Sequence, residues 1–271
     1  MQYQEIPHRE QLLHVTVGIF PLYMTINSPN NQNKLKMIKE LAKMIDHSVL
    51  HPTLTDNDLE RECQVAAKYD VASVCVKPYM VKRAAELLKG SGVLVGCVIG
   101  FPAGNSTIDV KVFEAMTACK DGAVEIDMVI NIGKALSGDW EYIEKEIDTV
   151  TKACHSNGAF VKVIFETDYI TQDEDKIRLC EICTKVSADY VKTSSGFGFV
   201  KDKDGRFFYT GATIPDLKLM RKHSGPQVKV KAAGGVRTLD QLIAVREAGC
   251  SRSGATATAS ILEEANRRFG K

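Results

Sequence analysis

Lys192 ends the apolar run of DYVKTSSGFG (189–198) and is followed at once by Thr193, Ser194, Ser195 and Gly196. A lysine at the C-terminal end of a buried strand points its amine into a site, where a neutral amine attacks carbonyls and forms imines. The arrangement recurs in VKVKAAGGVR (228–237), with Lys231 at a strand end and Gly234 and Gly235 after it. A carboxylate, Asp127, stands in EIDMVIN (125–131). Period-two alternation groups it with Glu125, Val129 and Asn131 and turns Ile126, Met128 and Ile130 to the opposite face.

A free lysine amine, with a pKa of about 10.4, is almost wholly protonated at pH 7. A second ammonium and partial desolvation both disfavour the charged form, and lowering the pKa by about three units takes roughly 4 kcal/mol of differential interaction. Lys231 is expected to supply much of that, and Asp127 to move protons while Lys192 passes through a carbinolamine and an iminium. The iminium would act as the electron sink for carbon–carbon cleavage, a chemistry that requires neither metal nor cofactor. Taken singly, a lysine near a strand end is ordinarily a solvated rim residue or half of an ion pair. The conjunction of two lysines and an inward carboxylate favours the chemical reading. Lys162 and Lys229 are rivals, but each precedes several further strand residues and should lie lower, pairing with Asp127 or Glu166.

These side chains need strands to carry them. From Lys34 onward, short apolar runs alternate with longer segments of helical period, as in a parallel sheet with crossover helices. Eight runs stand out, at 44–50, 71–77, 93–100, 123–131, 160–167, 189–195, 228–235 and 252–257. Capping-box spacings at Thr171/Glu174, Thr238/Gln241 and Ser260/Glu263 mark helix starts. An open doubly wound sheet would carry a glycine-rich fingerprint after its first strand, and MIDHSVLHPTLTDNDL has none. The expected fold is therefore a TIM (β/α)8 barrel over residues 34–271, with catalytic groups at the C-terminal strand ends. Gly234 and Gly235 after the seventh strand, and Gly254, Ala255 and Thr256 after the eighth, fall where barrels bind phosphate through backbone N–H groups and a helix N-terminus near Ser260. Ser195 and Gly196 could complete that cradle, and Arg237 could contribute. The same glycines could instead serve only tight turns.

Lys and Arg number 35 against 34 Asp and Glu, so no basic excess attracts nucleic acid or membrane, and a small-molecule partner is expected. The eight cysteines lie singly in apolar runs apart from Cys180-x-x-Cys183, which sits in a helical run and lacks two further ligands for zinc. They read as reduced thiols of a cytoplasmic protein. The apolar stretch Leu12 to Met24 is broken by polar residues and too short to span a bilayer, so residues 1–33 read as an extension of the barrel.

EIDMVINIG, DYVKTSSGFG and VKAAGGVRT, in this order, resemble the deoxyribose-phosphate aldolase family, with similarity extending over about residues 36–268. The resemblance implies a cofactor-free class I aldolase of deoxynucleoside catabolism, acting on 2-deoxy-D-ribose 5-phosphate and able to form homo-oligomers. It places the Schiff base on Lys192, its tuning on Lys231 and the proton relay on Asp127. Asp46 and Cys75 become site-lining, and Gly196, Gly234, Gly235, Gly254 and Thr256 become phosphate contacts. Two departures matter: Phe197 stands where some members have a phosphate-contacting lysine, and the sequence ends without the tyrosine that some members bring to the site. Two alternatives remain: a catalytically silent phosphosugar-binding barrel, and another Schiff-base barrel aldolase of transaldolase type.

Overall fold

The computed structural model describes residues 31–270. The apolar stretch Leu12 to Met24 and most of the expected extension lie outside the described residues. The strands are β1 (Ile45–Val49), β2 (Ser73–Val76), β3 (Leu94–Ile99), β4 (Glu125–Val129), β5 (Phe160–Ile164), β6 (Tyr190–Lys192), β7 (Val200–Lys201), β8 (Phe207–Phe208), β9 (Lys229–Ala232) and β10 (Arg252–Ala255). The helices are α1 (Asn31–Ala42), α2 (Asp56–Lys68), α3 (Val81–Leu87), α4 (Ile108–Lys120), α5 (Ile132–Leu136), α6 (Trp140–Ser156), α7 (Asp173–Lys185), α8 (Ile214–His223), α9 (Leu239–Glu247) and α10 (Thr258–Phe269). β1 to β6, β9 and β10 close in chain order into a parallel barrel, β10 pairing with β1. Each of the eight runs read from the sequence contains one of these strands. Among the described residues no helix is long and apolar enough to cross a membrane.

Alternation decides what each strand turns inward. Ile126, Met128 and Ile130 of the fourth run are fully buried in the layer between strands and helices, with Ile143, Ile147 and Val150 of α6. Glu125 and Asp127 take the other face, the lumen, which is why their burial has to be matched by cations. At the N-terminal end of the lumen the Tyr190 ring lies beneath three cations, with Lys229 Nζ 5.5 Å, Lys162 Nζ 5.9 Å and the Arg252 guanidinium carbon 6.0 Å from its centroid. This stack plugs the base of the barrel and makes the opposite end the route to solvent.

The sequence signals hold unevenly at the helix starts. Thr238 and Gln241 form the expected reciprocal capping box on α9, and Thr55 with Asp58 forms one on α2. The boxes expected at Thr171 and Ser260 do not form. α7 starts after Gln172, and the acidic residues Asp173, Glu174 and Asp175 in its first turn complement the helix dipole instead. α10 starts three residues earlier than the Ser260 spacing implies, and Ser260 Oγ donates back to the Ala257 carbonyl at 2.9 Å. The antiparallel hairpin β7–β8 lies outside the eightfold pattern. Its turn is built on Asp202, whose Oδ1 accepts from the N–H groups of Asp204 and Arg206.

Candidate active site

Register brings the two strand-end lysines side by side, since Lys192 of β6 pairs directly with Lys231 of β9. Asp127 of β4 pairs with Lys162 of β5, and Asp46 of β1 pairs with Gly254 of β10. The inward side chains of these strands converge. Asp127 Oδ2 accepts from both Lys192 Nζ and Lys231 Nζ at 2.7 Å. Lys231 Nζ also lies 2.5 Å from Asp46 Oδ2. Lys162 Nζ, one layer lower, donates to Glu125 Oε2 at 2.6 Å and Asp46 Oδ2 at 2.9 Å, with Asp127 Oδ1 at 3.2 Å. Arg252 pairs with Asp46 Oδ1 at 2.5 Å and Glu125 Oε1 at 2.9 Å.

Four cations, Lys162, Lys192, Lys231 and Arg252, thus share the three carboxylates Asp46, Glu125 and Asp127. With every group ionised, this buried network would carry one uncompensated positive charge. Burial is expensive for such a charge, and the group that loses its proton most readily relieves it. Lys192 is that group. Burial pushes its amine below the usual lysine range and the Lys231 charge pushes the same way, against the opposing pull of Asp127. Lys231 is held above its usual range because Asp127 and Asp46 outweigh burial. Lys162 is also raised, its three carboxylate neighbours outweighing burial. For Asp127 and Asp46 burial acts upward, but the surrounding lysines, with Arg252 at Asp46, hold both carboxyls below their usual range. The two adjacent lysines thus shift in opposite directions, Lys192 toward the neutral amine and Lys231 toward the ammonium.

Asp127 Oδ1 receives no well-directed hydrogen bond among the described residues, Lys162 being close but poorly aimed. That leaves Asp127 with a free lone pair on Oδ1 while its Oδ2 holds both Lys192 and Lys231. Cys75 lies buried beside this cluster in a small apolar group with Leu50 and Val98, against which Phe101 and Phe197 pack. Burial raises its thiol to about 11, so it is a neutral apolar wall rather than a nucleophile. Lys229, the other rival lysine, is exposed at the barrel base and plays no part here.

Above the lysines a cavity of about 540 Å³ opens at the C-terminal end of the barrel. Gly196, Gly234, Gly235, Gly254 and Thr256 all line it, with Ser195, Arg237 and Tyr209. Gly234 has φ +85°, and a Cβ there would fall 2.9 Å from Gly211 Cα, so backbone sterics alone demand glycine. Gly196, with φ +86°, has open space where a side chain would be and leaves its backbone bare to the cavity. Gly254 is different: its backbone is ordinary, and a Cβ would reach 3.7 Å from Lys231 Cε, which links the cavity floor to the lysine pair. α10 starts two residues after Thr256, and its first residue Thr258 is fixed to β1 by a 2.8 Å hydrogen bond between Oγ1 and His47 Nδ1. A helix N-terminus and bare backbone N–H groups at one end of a cavity are groups that suit an anion. A groove of about 570 Å³ on the outer helical layer, lined by Trp140, Glu144 and Lys185 among others, shares no residue with this region.

The motif reading missed Arg252 and the wall formed by the hairpin. Arg252 was legible as the residue two before Gly254, hence on the same strand face. Tyr209 follows β8 and reaches Arg237 Nη2 at 3.2 Å, while Phe199, just before β7, meets the Tyr209 ring edge-on at 5.7 Å. The Asp204-Gly205 pair between polar residues was the signal for that hairpin.

Residues 40–263 match the family described as DeoC/LacD family aldolase. A deoxyribose-phosphate aldolase of Rhodopirellula baltica is 51% identical over 231 residues, covering 85% of this chain and 91% of the relative. One from Thermococcus gammatolerans is 47% identical, covering 83% and 96%. Among solved structures, the tetrameric deoxyribose phosphate aldolase of Aeropyrum pernix superposes with a TM-score of 0.75 at 28% identity, covering 86% of this chain and 94% of that one. The lysine-paired barrel and these relatives agree, and the chain belongs to the DeoC/LacD family of aldolases.

Proposed function

We propose that the barrel is a class I aldolase that reversibly cleaves 2-deoxy-D-ribose 5-phosphate to D-glyceraldehyde 3-phosphate and acetaldehyde through an imine on Lys192. The observation that carries this is the convergence of Lys192 and Lys231 on one oxygen of Asp127, with opposite shifts in their proton affinities. The neutral Lys192 amine adds to the C1 aldehyde of the open-chain sugar, and the carbinolamine loses water to give an iminium. A base takes the C3 hydroxyl proton, the C2–C3 bond breaks, and its electron pair flows into the iminium to leave an enamine. Glyceraldehyde 3-phosphate departs. Protonation at C2 and hydrolysis then release acetaldehyde and the free lysine. Asp127 carries these protons in this reading, with the Lys231 ammonium as its resupply, a role that its hydrogen bonds to both lysines support.

In this reading residues 34–271 are the catalytic barrel and residues 1–33 an extension. The eight cysteines suit a reducing cytoplasm, those in the core being held as thiols by burial. Self-association is part of the same proposal. Val110, Phe113 and Met116, three residues apart on α4, are all exposed, and such an apolar stripe suits burial against a second copy.

The anion site makes the reading testable through substrate choice. Binding energy at the phosphate, remote from the reacting carbonyl, orients the sugar and lowers the barrier as well as KM. Cleavage of 2-deoxyribose 5-phosphate, followed by acetaldehyde release, should exceed that of 2-deoxyribose by about a thousandfold or more in kcat/KM. Comparable values for the two sugars would remove the phosphate assignment.

A further inference from the structure

Glu166 follows β5 and is buried; it feels the Lys192 charge but makes no ion pair or hydrogen bond with the lysine network, and it takes no part in the chemistry described above. Its backbone has φ +58°, a left-handed conformation that a non-glycine residue adopts only when its surroundings over-determine it. Its carboxyl group explains the constraint. Oε1 and Oε2 each accept from the Ser195 N–H at 3.2 Å, and Oε2 also accepts from Ser195 Oγ. Ser195 Oγ in turn accepts from the Phe197 N–H at 2.9 Å. The chain then passes directly over the carboxyl: a Cβ on Gly198 would lie 2.7 Å from Glu166 Cδ. Two residues on, Asp168 accepts from the Gly211 N–H at 3.0 Å and from the Thr210 N–H. The loop after β5 therefore pins both stems of the 195–211 excursion.

Phe197 sits at the end of this chain of contacts. It lines the 540 Å³ sugar cavity and also two flanking cavities of about 310 Å³ and 280 Å³. Its ring packs edge-on against Phe101 at 5.4 Å between centroids, which fixes it as the partition between the three spaces. We infer that Glu166 is a positioning residue for substrate selection: by clamping Ser195 to Gly198 it holds the Gly196 backbone at the anion site and Phe197 as the wall of the sugar cavity. This rests on the proposed imine at Lys192 and the anion site above it.

Acetaldehyde carries no phosphate and needs neither Gly196 nor the Phe197 wall, so it separates the clamp from the chemistry. In Glu166→Ala, borohydride trapping of acetaldehyde at Lys192 should proceed at the wild-type rate, while KM for 2-deoxyribose 5-phosphate rises by about tenfold or more and the preference over 2-deoxyribose shrinks accordingly. Glu166→Gln, which keeps an acceptor oxygen for Ser195, should recover part of the KM. Gly198→Ala leaves the carboxyl in place but forces the loop off it, and should give the same split even if the alanine variant at 166 folds poorly. An unchanged KM and sugar preference in a folded Glu166→Ala and in Gly198→Ala would overturn the inference. So would loss of trapping with KM unchanged, since Glu166 would then act on Lys192 itself. Failure of trapping in the unmodified protein would instead refute the imine assignment.

Discussion

Lys231→Leu is expected to lower turnover at pH 7 by about a hundredfold, with activity partly recovered as the pH is raised. The charge balance of the lumen gives the direction. In the unmodified network four cations face three carboxylates, so the cluster is neutral when Lys192 is unprotonated. Without Lys231 three cations face the same three carboxylates, and the cluster becomes neutral when Lys192 is protonated. The amine also loses a repelling neighbour and gains a larger share of Asp127, which both raise its proton affinity. A pH–rate profile should therefore show its acidic limb, the one on which activity grows with pH, displaced upward. A variant profile superimposable on that of the unmodified protein would remove the electrostatic role of Lys231.

Asp127→Asn should shift the same limb the other way. Removing a carboxylate leaves the cations in larger excess, so Lys192 should give up its proton more easily and the acidic limb should move to lower pH. Proton transfer to and from the carbinolamine and the C3 hydroxyl is lost with the carboxylate, and general acid–base contributions of this kind are worth about 100- to 10,000-fold. The variant should combine a large fall in kcat with trapping of acetaldehyde that is slowed but still measurable on Lys192. Wild-type turnover would take Asp127 out of the mechanism, and a limb moved upward would show that Asp127 does not carry the charge balance assigned to it.

The strands and the lysine pair were legible because their signals are local. Alternation in EIDMVIN alone separates the lumen face from the helix face, and a lysine at the end of an apolar run marks both β6 and β9. The charge network was only partly legible. Lys162 and Glu125 were visible as inward residues, but that Lys162 serves three carboxylates rather than one depends on barrel closure, which brings β1 and β10 to β4 and β5. Desolvation and Lys231 were both expected to tune Lys192, with much of the shift assigned to Lys231, whereas burial acts first and the second lysine adds to it. Burial at a given depth is a property of the closed barrel and has no sequence pattern of its own. Similarly, Lys111 of α4 is fully buried, donating to the carbonyls of Gly104 and Val129 and to Glu146, which no local pattern around it marks. The capping boxes that do not form at Thr171 and Ser260 show the converse: the spacing recurs without the cap, Ser260 lying inside α10 and Glu263 accepting from the Tyr69 hydroxyl.

The central claim is that the neutral amine of Lys192 is the nucleophile, and covalent trapping tests it most directly. Acetaldehyde should condense with that amine, and borohydride should reduce the resulting imine to a stable ethyl group found on Lys192 by peptide mass mapping. An ethyl group on Lys162 or Lys231 in its place, or no adduct on the active protein, would contradict the account.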